Sequence, residues 1–201
     1  MARPPAIEAD TTFRLVLNLQ SVGLTDDQFF RLCCDNSDFQ IELTADKHLI
    51  VMPPCFPETD RKNTKIIQRL ANWTEQDDTG VCFGPTAGFT LPNGAKRAPD
   101  AAWIPKRRWN RLTKEEKHSL TPICPDFVLE LRSTSNRLSD LQEKMEEYIA
   151  NGAKMGWLLD PIDNRAEIYR PGEPPQLIEN PAIISGDPTL KGFRFDFREI
   201  L

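Results

Sequence analysis

The feature that most constrains this chain is a carboxylate inside an apolar segment. Residues 125–133 read PDFVLELRS, an apolar run of strand length in which Glu130 is the one charged interior position. A run of this length, bounded by a proline and a serine, predicts a buried β-strand. Because burying an unpaired carboxylate is costly, Glu130 needs a partner, which could be a cation, a metal ion or a cluster of hydrogen-bond donors.

The segment that follows this strand predicts an amphipathic helix over residues 138–151, ended by Gly152. Lys144 lies at the edge of its apolar face, where the side-chain stem can follow the core while the amine points at the sheet. Asp100 follows Pro99 in another predicted strand, residues 97–104. If neighbouring strands carry Asp100 and Glu130, the two carboxylates and the Lys144 amine could meet.

Two carboxylates and a lysine are suited to phosphodiester hydrolysis. Carboxylate oxygens hold a hard divalent cation, which activates water and neutralises charge on the phosphate. A lysine amine can orient the water or stabilise the developing charge. A structural interpretation is also available, since acids at strand ends often pair with basic residues such as the nearby Arg97 and Arg132. The spacing alone leaves both interpretations open.

The remaining pattern predicts a mixed architecture. Residues 25–28 form a capping box that begins a helix, residues 39–43 and 48–52 a hairpin, and residues 58–76 a helix with Glu58 in its first turn. Further strands are predicted at residues 81–83, 88–91, 155–159, 165–169 and around the alternating Phe193, Phe195 and Phe197. Strands and helices without strict alternation indicate an α/β or α+β domain with a mixed sheet. We expect an N-terminal extension at residues 1–24, with a loose leader at 1–12, and a single domain at 25–201.

Composition limits the possible partners. The 201 residues suit one domain, and the net charge of −5 means that nucleic-acid binding would need a local basic patch. Residues 106–118 supply one, in which Trp109 could stack on a base or pack beneath a solvated loop. The sequence holds no apolar run long enough for a membrane span and no secretory signal. Its five cysteines lack metal-site spacing, so we expect free thiols in a reducing cytoplasm.

Several segments together resemble one family. They are the residues 52–54, 58–63, 88–94, 97–100, 125–133, 144–148, 151–153, 156–161 and 167–169. Over roughly residues 25 to 200 the sequence resembles the Uma family of endonucleases, in the PD-(D/E)XK restriction-endonuclease-like superfamily. The resemblance implies an α/β fold with a central mixed β-sheet flanked by α-helices, preceded by an N-terminal helix and a β-hairpin. It also implies that Asp100 and Glu130 bind metal.

The sequence departs from the superfamily pattern at one position. The pattern places a lysine two residues after Glu130, where this chain has Arg132. The lysine often moves to the following helix in this superfamily, which makes Lys144 the candidate. Arg132 is too strongly protonated to act as a base, although it could contact phosphate, as could Arg107 and Arg108. Glu58 resembles an additional acidic metal ligand of some members.

The sequence therefore supports three hypotheses. The first is a metal-dependent endonuclease acting on DNA with Mg²⁺ or Mn²⁺. Members of the superfamily often dimerise, so the resemblance also suggests a homodimer. The alternative is a nuclease-like fold that binds nucleic acid or protein without cutting, which the acidic net charge and the missing lysine favour. The third is a hydrolase of another phosphate ester, which would need a closed pocket.

Overall fold

The computed structural model describes residues 14–52 and 55–201. The leader predicted at residues 1–12 and the hairpin end predicted at residues 53–54 lie outside this range. In chain order the elements are β1 (Leu15–Asn18), α1 (Asp26–Asp35), β2 (Gln40–Leu43), β3 (His48–Met52), α2 (Pro57–Asp77), β4 (Gly80–Phe83), β5 (Phe89–Thr90), β6 (Lys96–Arg97), β7 (Ala101–Pro105), α3 (Lys106–Trp109), α4 (Lys114–Lys117), β8 (Phe127–Leu131), α5 (Leu138–Ala150), β9 (Met155–Asp160), β10 (Arg165–Tyr169), β11 (Gln176–Glu179), β12 (Ile183–Ser185), β13 (Arg194–Asp196) and a final 3-10 helix (Phe197–Ile200).

The first part of the chain builds a five-stranded antiparallel sheet in the order β1-β3-β2-β6-β5. Its centre is the predicted hairpin β2–β3, in which Leu43 lies opposite Leu49. Helix α1 begins at the predicted capping box and buries Phe29 against these two leucines. Strand β1 comes from the predicted N-terminal extension and pairs with β3 at the edge of the sheet.

The second sheet has six strands in the order β11-β10-β9-β8-β7-β4. Strands β8 and β9 run parallel and are joined by α5, whereas the other neighbours are antiparallel. Every residue of β8 and β9 is buried, because α2 and the β12–β13 pair cover one face of the sheet and α5 covers the other. The prediction of an α/β fold with a mixed sheet flanked by helices is confirmed.

The predicted single strand at residues 97–104 is wrong. The chain instead forms β6 in the five-stranded sheet and β7 in the six-stranded sheet, and residues 98–100 cross between them. Pro99 has no N–H group to donate to a sheet ladder, which favours a break at this point. The crossing ends at Asp100, immediately before β7, so this carboxylate lies where the two sheets meet.

The basic segment at residues 106–118 folds into α3 and α4 at the end of β7 remote from Asp100. The Trp109 ring packs on Phe83, with ring centroids 5.0 Å apart, and Lys117 Nζ lies 5.1 Å from the centroid of the Trp109 ring. This arrangement agrees with the structural interpretation of Trp109. Among the helices in the described part of the chain, none has the length and apolar character needed to cross a bilayer. All five cysteines are free thiols.

Candidate active site at the junction of the two sheets

A cavity of about 820 Å³ lies at the junction of the two sheets. Residues from β2, β6, α2, β8 and α5 line it, together with the crossing segment. Six of the polar lining side chains fall into two groups: Glu42, Arg97, Lys144 and Glu130 are linked by ion pairs, and Asn63 is hydrogen-bonded to Asp100. Three of these, Asp100, Glu130 and Lys144, are the catalytic candidates that the sequence analysis selected.

Asp100 and Glu130 are cross-strand neighbours. Ala101 of β7 lies opposite Leu129 of β8, and the same register continued by one residue sets Asp100 opposite Glu130. The Asp100 carboxylate is fixed on both sides, because Oδ2 accepts a hydrogen bond from the Leu131 N–H at 2.8 Å and Oδ1 accepts one from Asn63 Nδ2 at 3.1 Å. Burial raises the pKa of Asp100 above its usual value.

Glu130 is 4% exposed and has the partner that its burial required. Its Oε1 atom lies 2.8 Å from Lys144 Nζ and accepts a hydrogen bond from the Tyr148 hydroxyl at 3.2 Å. Its Oε2 atom accepts no hydrogen bond from residues 14–52 or 55–201. Burial raises the pKa of Glu130 to about 8 despite the opposing charge of Lys144, and the nearby carboxylates of Asp100 and Glu42 add to the rise.

Glu42, on β2, is a second anionic partner of Lys144. Its Oε1 atom lies 2.8 Å from Lys144 Nζ, the same distance as that from Nζ to Glu130. Burial disfavours the charged amine, but the carboxylates of Glu130 and Glu42 outweigh this effect and raise the pKa of Lys144. Lys144 is therefore an ammonium ion at neutral pH, a hydrogen-bond donor and not a base.

The ion-pair network continues through Arg97 to α5. Arg97 Nη1 donates to Glu42 Oε2 at 3.0 Å, and Arg97 Nε donates to Glu147 Oε2 at 2.6 Å. Burial disfavours a charged Glu42, yet Lys144 and Arg97 together hold its pKa below the usual value. Arg97 was considered from sequence as a partner of the strand-end acids, but its partners are Glu42 and Glu147.

Asn63 is a polar residue in the buried stripe of α2, one turn before Ile66. It is 5% exposed and lines the cavity. While Nδ2 donates to Asp100, the Oδ1 atom has no hydrogen-bond partner within the described ranges. A buried unpaired amide oxygen is unfavourable, so it indicates a site that favours a ligand. The sequence analysis missed Asn63, although its spacing from Ile66 and Leu70 marks it as a polar residue on an apolar face.

Glu58 is not brought to the cavity. Its exposed carboxylate lies 2.8 Å from Arg61 Nη2 and 3.9 Å from Lys62 Nζ on the surface of α2. In the described residues, no group of three or more His, Cys, Asp or Glu side chains is arranged to hold a metal ion. The predicted set of Asp100, Glu130 and Glu58 is therefore not assembled in this structure, and a ligand role for Glu58 stays a prediction.

The three arginines predicted to contact nucleic acid lie outside this network. Arg132 follows β8 but pairs with Asp160 at 2.7 Å and with Asp163 at 2.8 Å. Arg107 and Arg108 belong to α3, at the remote end of β7, where Arg108 pairs with Asp126. Their contacts with nucleic acid stay predictions.

A solved structure shares this fold. The structure is similar to a crystal structure titled a "putative nuclease belonging to DUF820" from Anabaena variabilis, with a TM-score of 0.73 and 17% sequence identity, over 88% of this chain and 97% of that chain. At this identity the likeness shows a shared nuclease-like fold.

The sequence identifies the family to which the chain belongs. Residues 26–198 match the Uma2 family, described as "Putative restriction endonuclease". The chain belongs to this family, and the resemblance read from its sequence is confirmed. No curated protein sequence matches the chain.

Proposed function

We propose that this protein is a metal-dependent endonuclease that hydrolyses phosphodiester bonds in DNA, with Mg²⁺ or Mn²⁺ as its cofactor. Membership of the Uma2 family supports a nuclease. The observation that carries the finer proposal is the position of Asp100 opposite Glu130 at the cavity, with Lys144 Nζ 2.8 Å from the Glu130 carboxylate.

The cavity offers the oxygen ligands that a hard divalent cation prefers. Asp100 and Glu130 would hold the ion, and Asn63 Oδ1 would supply a third oxygen. This set suits Mg²⁺, which is usually bound through one or two carboxylates and keeps several waters. Burial disfavours the charged form of both carboxyl groups and raises their pKa values, an effect that a bound cation would offset. Glu58 would have to leave Arg61 and Lys62 to contribute.

Each polar residue then has a distinct task. The bound ion would activate water and neutralise charge on the phosphate. Lys144 stays protonated, so it donates hydrogen bonds to the attacking water or to a phosphate oxygen as negative charge develops there. Asn63 and the Leu131 N–H fix the Asp100 carboxylate, and the Tyr148 hydroxyl fixes that of Glu130. A homodimer would bring one such site to each strand of a duplex.

The second candidate is a module that binds nucleic acid or protein without cutting. The observation that favours it is the pairing of Lys144 with both Glu130 and Glu42, together with the net charge of −5. Such a module has no need of metal at Asp100 and Glu130. Metal binding and cleavage therefore separate the two candidates.

The test is cleavage of supercoiled and linear DNA in Mg²⁺ or Mn²⁺. We expect the wild type to nick the plasmid and Asp100→Asn, Glu130→Gln and Lys144→Met each to lose at least about 100-fold in rate, since altering even the supporting residues of a metal site costs 10- to 100-fold. Asp126→Asn is the matched control, because Asp126 is a buried, arginine-paired carboxylate on the same side of the same chain segment as Glu130. It should still cut.

Two results would overturn the proposal. One is a wild type that cuts no DNA and binds no Mg²⁺ or Mn²⁺ by calorimetry, in which case the binding module takes its place. The other is cleavage that survives in Asp100→Asn and Glu130→Gln, which would place the chemistry elsewhere in the molecule.

A further inference from the structure

We infer that Glu42 is a positioning residue for Lys144, and that the five-stranded sheet is therefore part of the active site. The inference rests on the proposed function, because it concerns how Lys144 is held while Glu130 binds metal. Glu42 acts through Lys144 and needs no contact with the substrate.

Lys144 contacts one carboxyl group from each of the two sheets. Its Nζ atom lies 2.8 Å from Glu42 Oε1 in the five-stranded sheet and 2.8 Å from Glu130 Oε1 in the six-stranded sheet. The side chains of Glu42 and Glu130 are 2% and 5% exposed, and that of Lys144 is 10% exposed. The ammonium group therefore has one buried carboxyl group from each sheet beside it and little access to water.

This sharing matters because Glu130 has two competing roles. A carboxylate that coordinates a cation gives up part of its attraction for a neighbouring ammonium group. If Glu130 were the only partner of Lys144, metal binding would leave a buried ammonium ion without an anion, at a cost of several kcal/mol. Glu42 keeps Lys144 paired, so Glu130 becomes available to the metal and the amine stays at the cavity.

Glu42 is itself rigidly held. Its Oε1 atom accepts a hydrogen bond from the Ala98 N–H at 3.0 Å, and its Oε2 atom accepts one from Arg97 Nη1 at 3.0 Å. Both donors belong to the short segment at residues 97–100, which consists of the last residue of β6 and the crossing that ends at Asp100. The same short segment therefore fixes Asp100 directly and Lys144 through Glu42.

Glu147 provides a matched control for Glu42. It is also a carboxylate paired with Arg97, at 2.6 Å, and it lies on α5 with Lys144. Neither oxygen of Glu147 is paired with Lys144 in the described part of the chain. Glu42→Gln and Glu147→Gln both remove one negative charge from Arg97 and keep the side-chain shape, but only Glu42→Gln removes a partner from Lys144.

The experiment measures Mn²⁺ affinity by calorimetry on the full chain. We expect Glu42→Gln to weaken Mn²⁺ binding by at least about tenfold, which corresponds to about 1.4 kcal/mol. Glu147→Gln should change the affinity by less than about threefold, because Lys144 keeps both of its partners. Adding Lys144→Met to Glu42→Gln should restore the Mn²⁺ affinity, because it removes the ammonium group that competes for Glu130. The double variant should not regain cleavage, which needs the amine.

A second comparison tests the inference even if Glu42→Gln alone does not fold. The affinity of the Lys144→Met single variant should equal that of the double variant, because Glu42 acts through Lys144. A lower affinity in the double variant would show that Glu42 affects the metal independently of Lys144 and would overturn the inference.

The outcomes distinguish this inference from the proposed function. A wild type that binds Mn²⁺ and cuts DNA, with an unaffected Glu42→Gln, overturns the role of Glu42 and leaves the proposed function standing. Equal losses in Glu42→Gln and Glu147→Gln assign the effect to Arg97 and also overturn it. A wild type that binds no metal ends the proposed function and this inference together.

Discussion

The two sheets of this protein differ sharply in how much apolar surface they bury. In the six-stranded sheet, β8 and β9 are buried along their whole length, and large side chains such as Phe127 and Trp157 are inaccessible to solvent. In the five-stranded sheet, β1 is exposed at all four residues and the cluster under α1 has three buried members, Phe29, Leu43 and Leu49, although Ile50 and Phe89 are buried as well. Yet each sheet contributes one carboxylate to Lys144. We therefore expect the larger sheet to provide most of the stability, while side chains from both sheets line the candidate site.

The largest expected effect is on the core of the six-stranded sheet. Phe127→Ala should lower the free energy of unfolding by about 3–5 kcal/mol, because the side chain is completely buried and packs edge-on against Trp157. Urea unfolding followed by circular dichroism measures the loss. A loss below about 1 kcal/mol would contradict the assignment of most of the stability to this sheet.

The corresponding change in the five-stranded sheet should cost less. Leu49→Ala removes a side chain that is 6% exposed and belongs to a cluster of three buried residues, so we expect a loss of about 2 kcal/mol by the same measurement. A loss equal to that of Phe127→Ala would mean that the two sheets are equally important to the stability of the fold.

The pH dependence of stability should reveal the buried carboxylate of the larger sheet. The pKa of Glu130 is about 8 in the folded protein and near 4.5 when unfolded, so the folded state holds its proton more tightly. Its contribution is complete below pH 4.5 and is lost as the pH rises through 8, at up to about 1.4 kcal/mol per pH unit. In metal-free buffer, urea unfolding at pH 5.5 and pH 8 should show this decline, and Glu130→Gln should reduce it. A decline that is just as steep in the variant would assign it to other groups.

A smaller effect is expected at the unpaired amide of α2. Asn63→Ala should weaken Mn²⁺ binding by about tenfold, because it removes the Oδ1 ligand and the hydrogen bond that orients Asp100. Asn164→Gly is the control, since Asn164 also has a buried unpaired Oδ1 but lies in the turn between β9 and β10, and glycine accepts its positive φ of 48°. Equal affinity in Asn63→Ala and the wild type would exclude Asn63 from the site.

The smallest effect should come from Glu58→Gln. Its carboxylate is exposed and pairs with the surface cations Arg61 and Lys62, so we expect no measurable change in stability and a change within about twofold in Mn²⁺ affinity. A tenfold loss of affinity would instead mean that the first turn of α2 moves to the cavity when metal binds, which would support the ligand role predicted from sequence.

The parts of the site that sequence could predict are those carried by local patterns. The apolar run around Glu130 and the helical periodicity around Lys144 lie within 20 residues of each other and indicated β8, α5 and their polar residues. Glu42 could not be found in this way. It alternates with Ile41 and Leu43 as a solvent-facing residue of a strand would, and it is buried only because Arg97 and Lys144, more than 50 residues later in the chain, lie over it.

The crossing at residues 98–100 was missed for a related reason. Pro99 interrupts a segment that otherwise has the composition of one continuous strand, and the existence of a second sheet decides where each half goes. Asp100 was selected from the sequence as a candidate, but its position at the junction of the sheets depends on pairings that the local sequence does not contain.

The sharing of one ammonium group between the two sheets has a thermodynamic consequence. Ligand binding at the larger sheet and docking of the smaller sheet are linked. If ligand binding changes the free energy of docking, docking changes the free energy of ligand binding by the same amount. A ligand that draws Glu130 away from Lys144 strengthens the attraction of Lys144 for Glu42 and so tightens the docking of the hairpin. Slower amide hydrogen exchange in β2 and β3, remote from the ligand itself, would be the signature of that coupling.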